Sequence, residues 1–190
     1  MSSCHHHLDR SAGTRPGPAT ADLYHEHEVI LRALAVLERA GECLAAGAPV
    51  DEAALGELVQ LIRTFADACH HGKEEHRLFP AMRAKGVGGS LTPFLEEHEE
   101  GRGYLRVLSG PAPAADRAAA ARRYVGMLRD HIQRENEVLF PMADALFEAE
   151  EQAALARAYD DVEQEVVGPG VHERLLGDLG RLEAAIPPRA

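Results

Sequence analysis

Two stretches of this chain, CHHGKEEHRLFP at residues 69–80 and DHIQRENEVLFP at 130–141, each set a histidine four residues ahead of a glutamate and close on Leu-Phe-Pro. Four residues is about one helical turn, so each pair aims its imidazole and its carboxylate the same way. Nitrogen and oxygen donors without thiolate suit iron, manganese or zinc. The first stretch offers two such pairs, His70–Glu74 and His71–Glu75. Aligning the Leu-Phe-Pro triplets at an offset of 61 lays His70 on His131 and Glu74 on Glu135, but His71 on Ile132 and Glu75 on Asn136. Only the first register keeps a His–Glu pair in both halves.

Such donors need elements to hold them. Turn-forming clusters stand at 46–50 (AGAPV), 86–90 (GVGGS), 109–113 (SGPAP) and 168–170 (GPG), and the text between them is rich in Ala, Leu and Glu. That pattern predicts helices near 21–45, 51–84, 92–108 and 114–147, with a shorter one near 150–166. Asp51 reads as an N-cap, as does Thr92 with Pro93 behind it. Pro80 and Pro141, each six residues past a glutamate, should kink or end their helices at matching heights. Four long helices on short loops predict an all-α, up-and-down four-helix bundle with an additional C-terminal helical segment. The organisation expected is a disordered arm over 1–19, the bundle over 20–148, and a helical extension over 149–190 packed on it.

Helical periodicity sorts the faces. Leu23, His27, Ile30, Leu34 and Leu37 form one apolar stripe, whereas His25 shares its stripe with Glu28, Arg32 and Arg39. In the second helix Val59, Ile62, Ala66, His70, Glu74 and Leu78 face inward, and Gln60, Thr64, Asp67, His71 and Glu75 face water; Glu75 and the neighbouring His76 read as surface charge. His98 lies on the stripe of Leu91, Gly101, Leu105 and Leu108, with Gly101 allowing a close neighbour. His131 and Glu135 lie on the stripe of Tyr124 and Leu139. Four helices thus each aim a histidine at one interior and two add a glutamate. Burying those carboxylates unpaired costs several kcal/mol each, against the ~0.5–1.5 kcal/mol that a hydrogen bond returns, and metal cations remove that cost. Four imidazoles and two carboxylates exceed one ion's usual protein ligands and suit two ions bridged by carboxylates.

Here the chain resembles the hemerythrin-like (HHE cation-binding) family, through HEHEVILRAL, CHHGKEEHRLFP, EEHEEGR and DHIQRENEVLFP across roughly 21–145. The resemblance implies a bundle around a non-haem di-iron centre: two iron ions (Fe2+/Fe3+) with an oxo or hydroxo bridge. His27, His70, His98 and His131 would be terminal ligands, and Glu74 and Glu135 would bridge. The chain departs from oxygen-carrying members in having Phe94 and Arg102, not histidine, four residues from His98. Sensor members of the family use the residue after the second-helix histidine, which makes His71 one source of a fifth imidazole and His172, in GPGVHERLL, another. Tyr24, one turn from His27, and Tyr104, six residues past His98, are candidate donors to a ligand or bound oxygen, or else half-buried core residues. Cys69 reads as a packed small hydrophobe.

With 45% hydrophobic residues the chain can bury a core, and a net charge of −11 argues against a nucleic-acid partner. No apolar run approaches a membrane span, and three cysteines at unrelated spacings are no disulfide framework. These features predict a soluble, cytoplasmic protein outside the membrane, with a homodimer left open. The function expected is redox reaction with O2, hydrogen peroxide or nitric oxide. The alternatives are non-catalytic oxygen or iron binding, storage or sensing, and iron delivery for cluster repair. His5, His6 and His7 read as a solvated run in the arm.

Overall fold

A computed structural model of the protein describes residues 16–166, 168 and 171–186. Cys4, His5, His6, His7 and most of the expected disordered arm lie outside the described residues. Among those described the chain is helical throughout, without strands. The helices are α1 (Pro18–Ala45), α2 (52–84), α3 (Thr92–Ser109), α4 (114–146), α5 (Ala149–Val166) and α6 (Val171–Ala185). The first begins inside the expected arm, because Pro18 sits in its first turn, where a missing N–H costs nothing.

Asp51 caps α2: its carboxylate accepts from the backbone N–H groups of Ala53 (3.0 Å) and Ala54 (3.1 Å). Asp51→Ala is expected to cost about 1 kcal/mol, read as a fall of roughly 2–4 °C in Tm. Thr92 makes no such cap. A 3-10 turn over Gly88–Leu91 leads straight into α3, leaving Leu91 at the cap position and Thr92 already helical.

The prolines do not end their helices. In both long helices a π-helical turn, Glu74–Leu78 in α2 and Glu135–Leu139 in α4, comes just before the Phe-Pro step, and α-helix resumes at Phe79 and Phe140. A proline cannot donate to the carbonyl four residues back and its ring crowds that carbonyl; a widened turn relieves the crowding and lets the helix run on. A longer π-helical stretch, Arg63–His71, precedes the first of these in α2.

Helices α1 and α3 each pack against both α2 and α4, enclosing one interior. The apolar side chains in it fall into two clusters. One runs from Val29, Leu34, Leu55 and Phe65 to Leu105, Tyr124 and Ile132; the other gathers Leu23, Leu78, Phe79, Phe94, Leu139 and Phe140. Helices α5 and α6 both lie against α1 and α2. The first adds Leu155 and Tyr159 to the second cluster, and the other adds Leu179, Leu182 and Ile186 to the first. The breaker pattern predicts one helix in this C-terminal region, near 150–166; α6 is a second.

Candidate metal centre

Between the two apolar clusters the interior turns polar. His27, His70, Glu74, His98, His131 and Glu135 are each at most 1% exposed, so the structure brings all six together away from water. It adds a seventh. His71, expected from strict helical periodicity to face solvent, is 4% exposed and stacks on the His98 ring at 3.8 Å between centroids. The correction lies in the backbone: a π-helical turn bonds five residues back instead of four, so each residue turns through less than the ~100° of an α-helix. Over Arg63–His71 that shortfall brings consecutive histidines to the same side.

Two groups of donor atoms result, each drawn within 4.8 Å: His71, Glu74, His98 and His131 in one, and His27, His70 and Glu135 in the other. The two carboxylates connect them. Glu135 sets one oxygen 3.2 Å from His27 Nε2 and the other 3.0 Å from His131 Nε2. Glu74 sets one oxygen 3.8 Å from His70 Nε2 and the other 3.5 Å from His98 Nε2. None of these four oxygens is aligned as a hydrogen-bond acceptor, and His71 Nδ1 also lacks a partner, 3.7 Å from Asp67.

The outward nitrogens of the other four histidines are engaged. His70 Nδ1 meets Glu26 at 2.8 Å, His98 Nδ1 meets Glu75 at 2.7 Å, His131 Nδ1 meets Glu97 at 2.7 Å, and His27 Nδ1 meets the Asn136 side-chain oxygen at 2.8 Å. Those oxygens accept only, so each Nδ1 carries the hydrogen, and in its neutral form each imidazole turns an Nε2 lone pair inward. The inward nitrogens then confront one another, His27 and His70 at 3.0 Å, His98 and His131 at 3.1 Å. Facing lone pairs beside orphaned carboxylates are unfavourable without positive charge between them, and this donor set fits metal cations.

Electrostatics agree. Burial pushes the Glu26 carboxyl up, but the hydrogen bond and charge of His70, with the Lys73 ammonium, outweigh it and hold Glu26 at about 2. Glu75 and Glu97 also lie below the usual carboxylate range, because bonds from His98 and Arg102, and from His131 and Arg134, overcome burial. Burial lowers His70 to about 4 despite Glu26, and with its imidazole neighbours drives His71 well down. His131 goes the other way, to about 9, since Glu135 and Glu97 overcome its burial. Burial and the charge of Glu135 hold Glu74 far above its ordinary value, while His131 and His27 overcome burial and hold Glu135 below. Without metal, protons stand in for the missing positive charge.

Glu75, read from sequence as surface charge, is instead the acceptor for His98, and Arg102 grips it at 2.7 Å. The same π-helical offset that turned His71 inward carries it. Helical periodicity does not single out Glu26, Glu97 or Asn136 either. A signal was present: Glu26 and Glu97 immediately precede His27 and His98, and Glu75 and Asn136 immediately follow Glu74 and Glu135. The Tyr24 hydroxyl donates to the Asn136 carbonyl at 2.9 Å and so acts on the residue holding His27, not on a donor atom of the cluster. The Tyr104 hydroxyl is taken by Glu100 on the exposed flank and does not reach the centre. His76 is exposed; Cys69 is buried, its thiol pushed up to about 12 by burial above all, as a packed hydrophobe would be. The side chain of His172 lies outside the described residues. Asn136→Ala is expected to weaken metal binding roughly 10–100-fold through loss of the His27 orientation, with Asn136→Asp restoring it, both read by competition with a chelator.

The hemerythrin HHE cation binding domain, as a family profile, matches residues 19–143. Uncharacterized proteins of Mycobacterium bovis and of two strains of Mycobacterium tuberculosis are each 28% identical over 185 residues, covering 90% of this chain and 71% of theirs. No solved structure gives a significant match. Among the described residues, no helix is long and apolar enough to cross a membrane.

Proposed function

The chain belongs to the hemerythrin HHE cation-binding domain family, and from that premise we propose that it is a non-haem di-iron protein that reacts with O2, hydrogen peroxide or nitric oxide. The ring made by α1 to α4 is read as an up-and-down four-helix bundle, with α5 and α6 outside it. His71, His98 and His131 would hold one ion, His27 and His70 the other, and Glu74 and Glu135 would bridge. The observation that carries the reading is that each buried carboxylate offers one unpartnered oxygen to each group of histidines.

An iron pair supplies the electrons that such oxidants accept. The chain's own groups do the rest. Glu26, Glu75, Glu97 and Asn136 fix the four imidazoles with their basic nitrogens inward. The apolar clusters above and below exclude water, which strengthens every charge interaction inside. Reversible binding of O2 is the second reading, and the two differ in outcome.

Protein purified from iron-supplemented cells is expected to carry two irons per chain by mass spectrometry. Mixing its reduced form with O2 or peroxide is expected to change the visible spectrum irreversibly, with turnover under excess oxidant. A spectrum fully restored by degassing would favour the carrier reading. A single zinc per chain would remove both.

A further inference from the structure

Five imidazoles line the centre, and the acceptors of four of them follow one rule. Glu26 on α1 holds His70 on α2, Glu75 on α2 holds His98 on α3, Glu97 on α3 holds His131 on α4, and Asn136 on α4 holds His27 on α1. The ring closes with one acceptor from each helix and leaves none for the fifth histidine, His71. Its Nδ1 is buried without a partner. A buried polar group in that state keeps the whole cost of leaving water.

Few groups can relieve it. A narrow seam beside His71, lined by Asp67, Glu97, Gly101, Arg102 and Tyr124 among others, has no room for a water molecule. Glu97 is already taken by His131 and Arg134. Asp67, four residues before His71 on α2, sets one oxygen 3.7 Å from Nδ1, and that oxygen accepts from Arg102 Nε at 2.8 Å. A carboxylate oxygen has two lone pairs, so the bond from Arg102 does not exhaust it. Closing the gap to His71 takes a movement of roughly 1 Å. The movement need not unpair any charge, because the same guanidinium spans Asp67 and Glu75.

We propose that Asp67 is the positioning residue of His71: with the centre filled, its carboxylate accepts from His71 Nδ1–H and turns Nε2 toward the ion shared with His98 and His131. This rests on the metal centre proposed above. Arg102 then steadies two acceptors at once, Glu75 for His98 and Asp67 for His71, and so serves the two stacked imidazoles as a unit. The extra histidine takes its acceptor from its own helix, outside the ring that passes from helix to helix.

Cobalt(II) is the probe metal that tests this in the full-length protein, with metal content measured for every variant. In proton NMR, the ring N–H of a cobalt-bound imidazole gives an exchangeable, paramagnetically shifted signal that persists while an acceptor holds the hydrogen. Wild type is expected to show five such signals, one for each imidazole. Asp67→Ala is expected to lose one signal and to bind one of its two ions roughly 10–100-fold more weakly by chelator competition. Asp67→Asn, whose oxygen still accepts but offers Arg102 no charge, is expected to restore the signal and most of the affinity. Tyr124→Phe removes the other unpartnered group of the seam and is expected to keep all five signals. Five signals and unchanged affinity in Asp67→Ala would overturn the role. Equal losses in Asp67→Asn and Asp67→Ala would overturn it too, by making the Arg102 ion pair the cause, as would loss of the signal in Tyr124→Phe instead. Four signals from wild type holding two ions would remove His71 from the ligand set and leave the metal centre standing. Wild type that binds no metal would overturn the centre itself.

Discussion

Glu74→Gln is expected to leave the metal-free protein at least as stable as wild type while removing most of the stability that metal confers. Without metal, burial and the neighbouring Glu135 charge hold the Glu74 carboxyl well above its ordinary value, which favours its neutral form. A glutamine copies that neutral group in size and hydrogen-bonding, and the metal-free protein registers little change. With metal the balance reverses. Each ion held at 1,000 times its dissociation constant adds about 4 kcal/mol, so the two proposed ions would add about 8, or roughly 15–30 °C in Tm for a chain of this size. Glutamine supplies one neutral oxygen where two anionic ones faced both groups of histidines. The metal-dependent rise in Tm is expected to fall by more than half, with stoichiometry dropping from two ions toward one. An equal rise in both proteins would remove Glu74 from the bridge.

The opposite responses of the two forms explain why this site was readable in the sequence at all. Glutamates on apolar stripes are unfavourable for folding, and the departure from pattern at Glu74 and Glu135 announces another purpose. His27, His70, His98 and His131 were legible for the same reason, each interrupting a stripe of leucines with ordinary α-helical spacing. His71 was not, because the spacing rule assumes a constant turn, and α2 is π-helical across Arg63–His71. Its copy in the second repeat, Ile132, is buried in the first apolar cluster, so the repeat gave no warning of a donor there. Glu26 and Glu97 were hidden differently. They lie at the edge of the stripes, among residues that look solvated, and only the position of the neighbouring helix shows that they reach His70 and His131. The long helices followed from breakers and composition. Helix α6 escaped because Gly177 and Gly180 lie inside it, each lowering helix propensity by about 1 kcal/mol, and its stability comes from burying Leu179, Leu182 and Ile186 against α1 and α2.

Lys73 shows how far the support of the site extends. Its ammonium is 3% exposed and joins Glu26 on α1 to Glu163 on α5. Burial would lower it, but the Glu26 and neighbouring negative charges hold it above the ordinary lysine value. Lys73→Met keeps the length and apolar stem of the side chain and removes the charge, leaving the Glu26 carboxylate buried with His70 alone. Removing one partner of a buried pair costs about 3–5 kcal/mol, which for this chain length is a fall of roughly 6–20 °C in Tm. The double variant Lys73→Met with Glu26→Gln is expected to recover most of that loss, because no unpaired charge remains and the glutamine oxygen still accepts from His70 Nδ1. If the double variant melts no higher than Lys73→Met, the damage comes from lost packing between α2 and α5, and the charge argument fails. The metal-loaded protein separates the two further. Charge-balanced Glu26→Gln keeps His70 oriented and should retain its metal, whereas Lys73→Met alone draws His70 toward an imidazolium beside Glu26 and should release metal to a chelator faster.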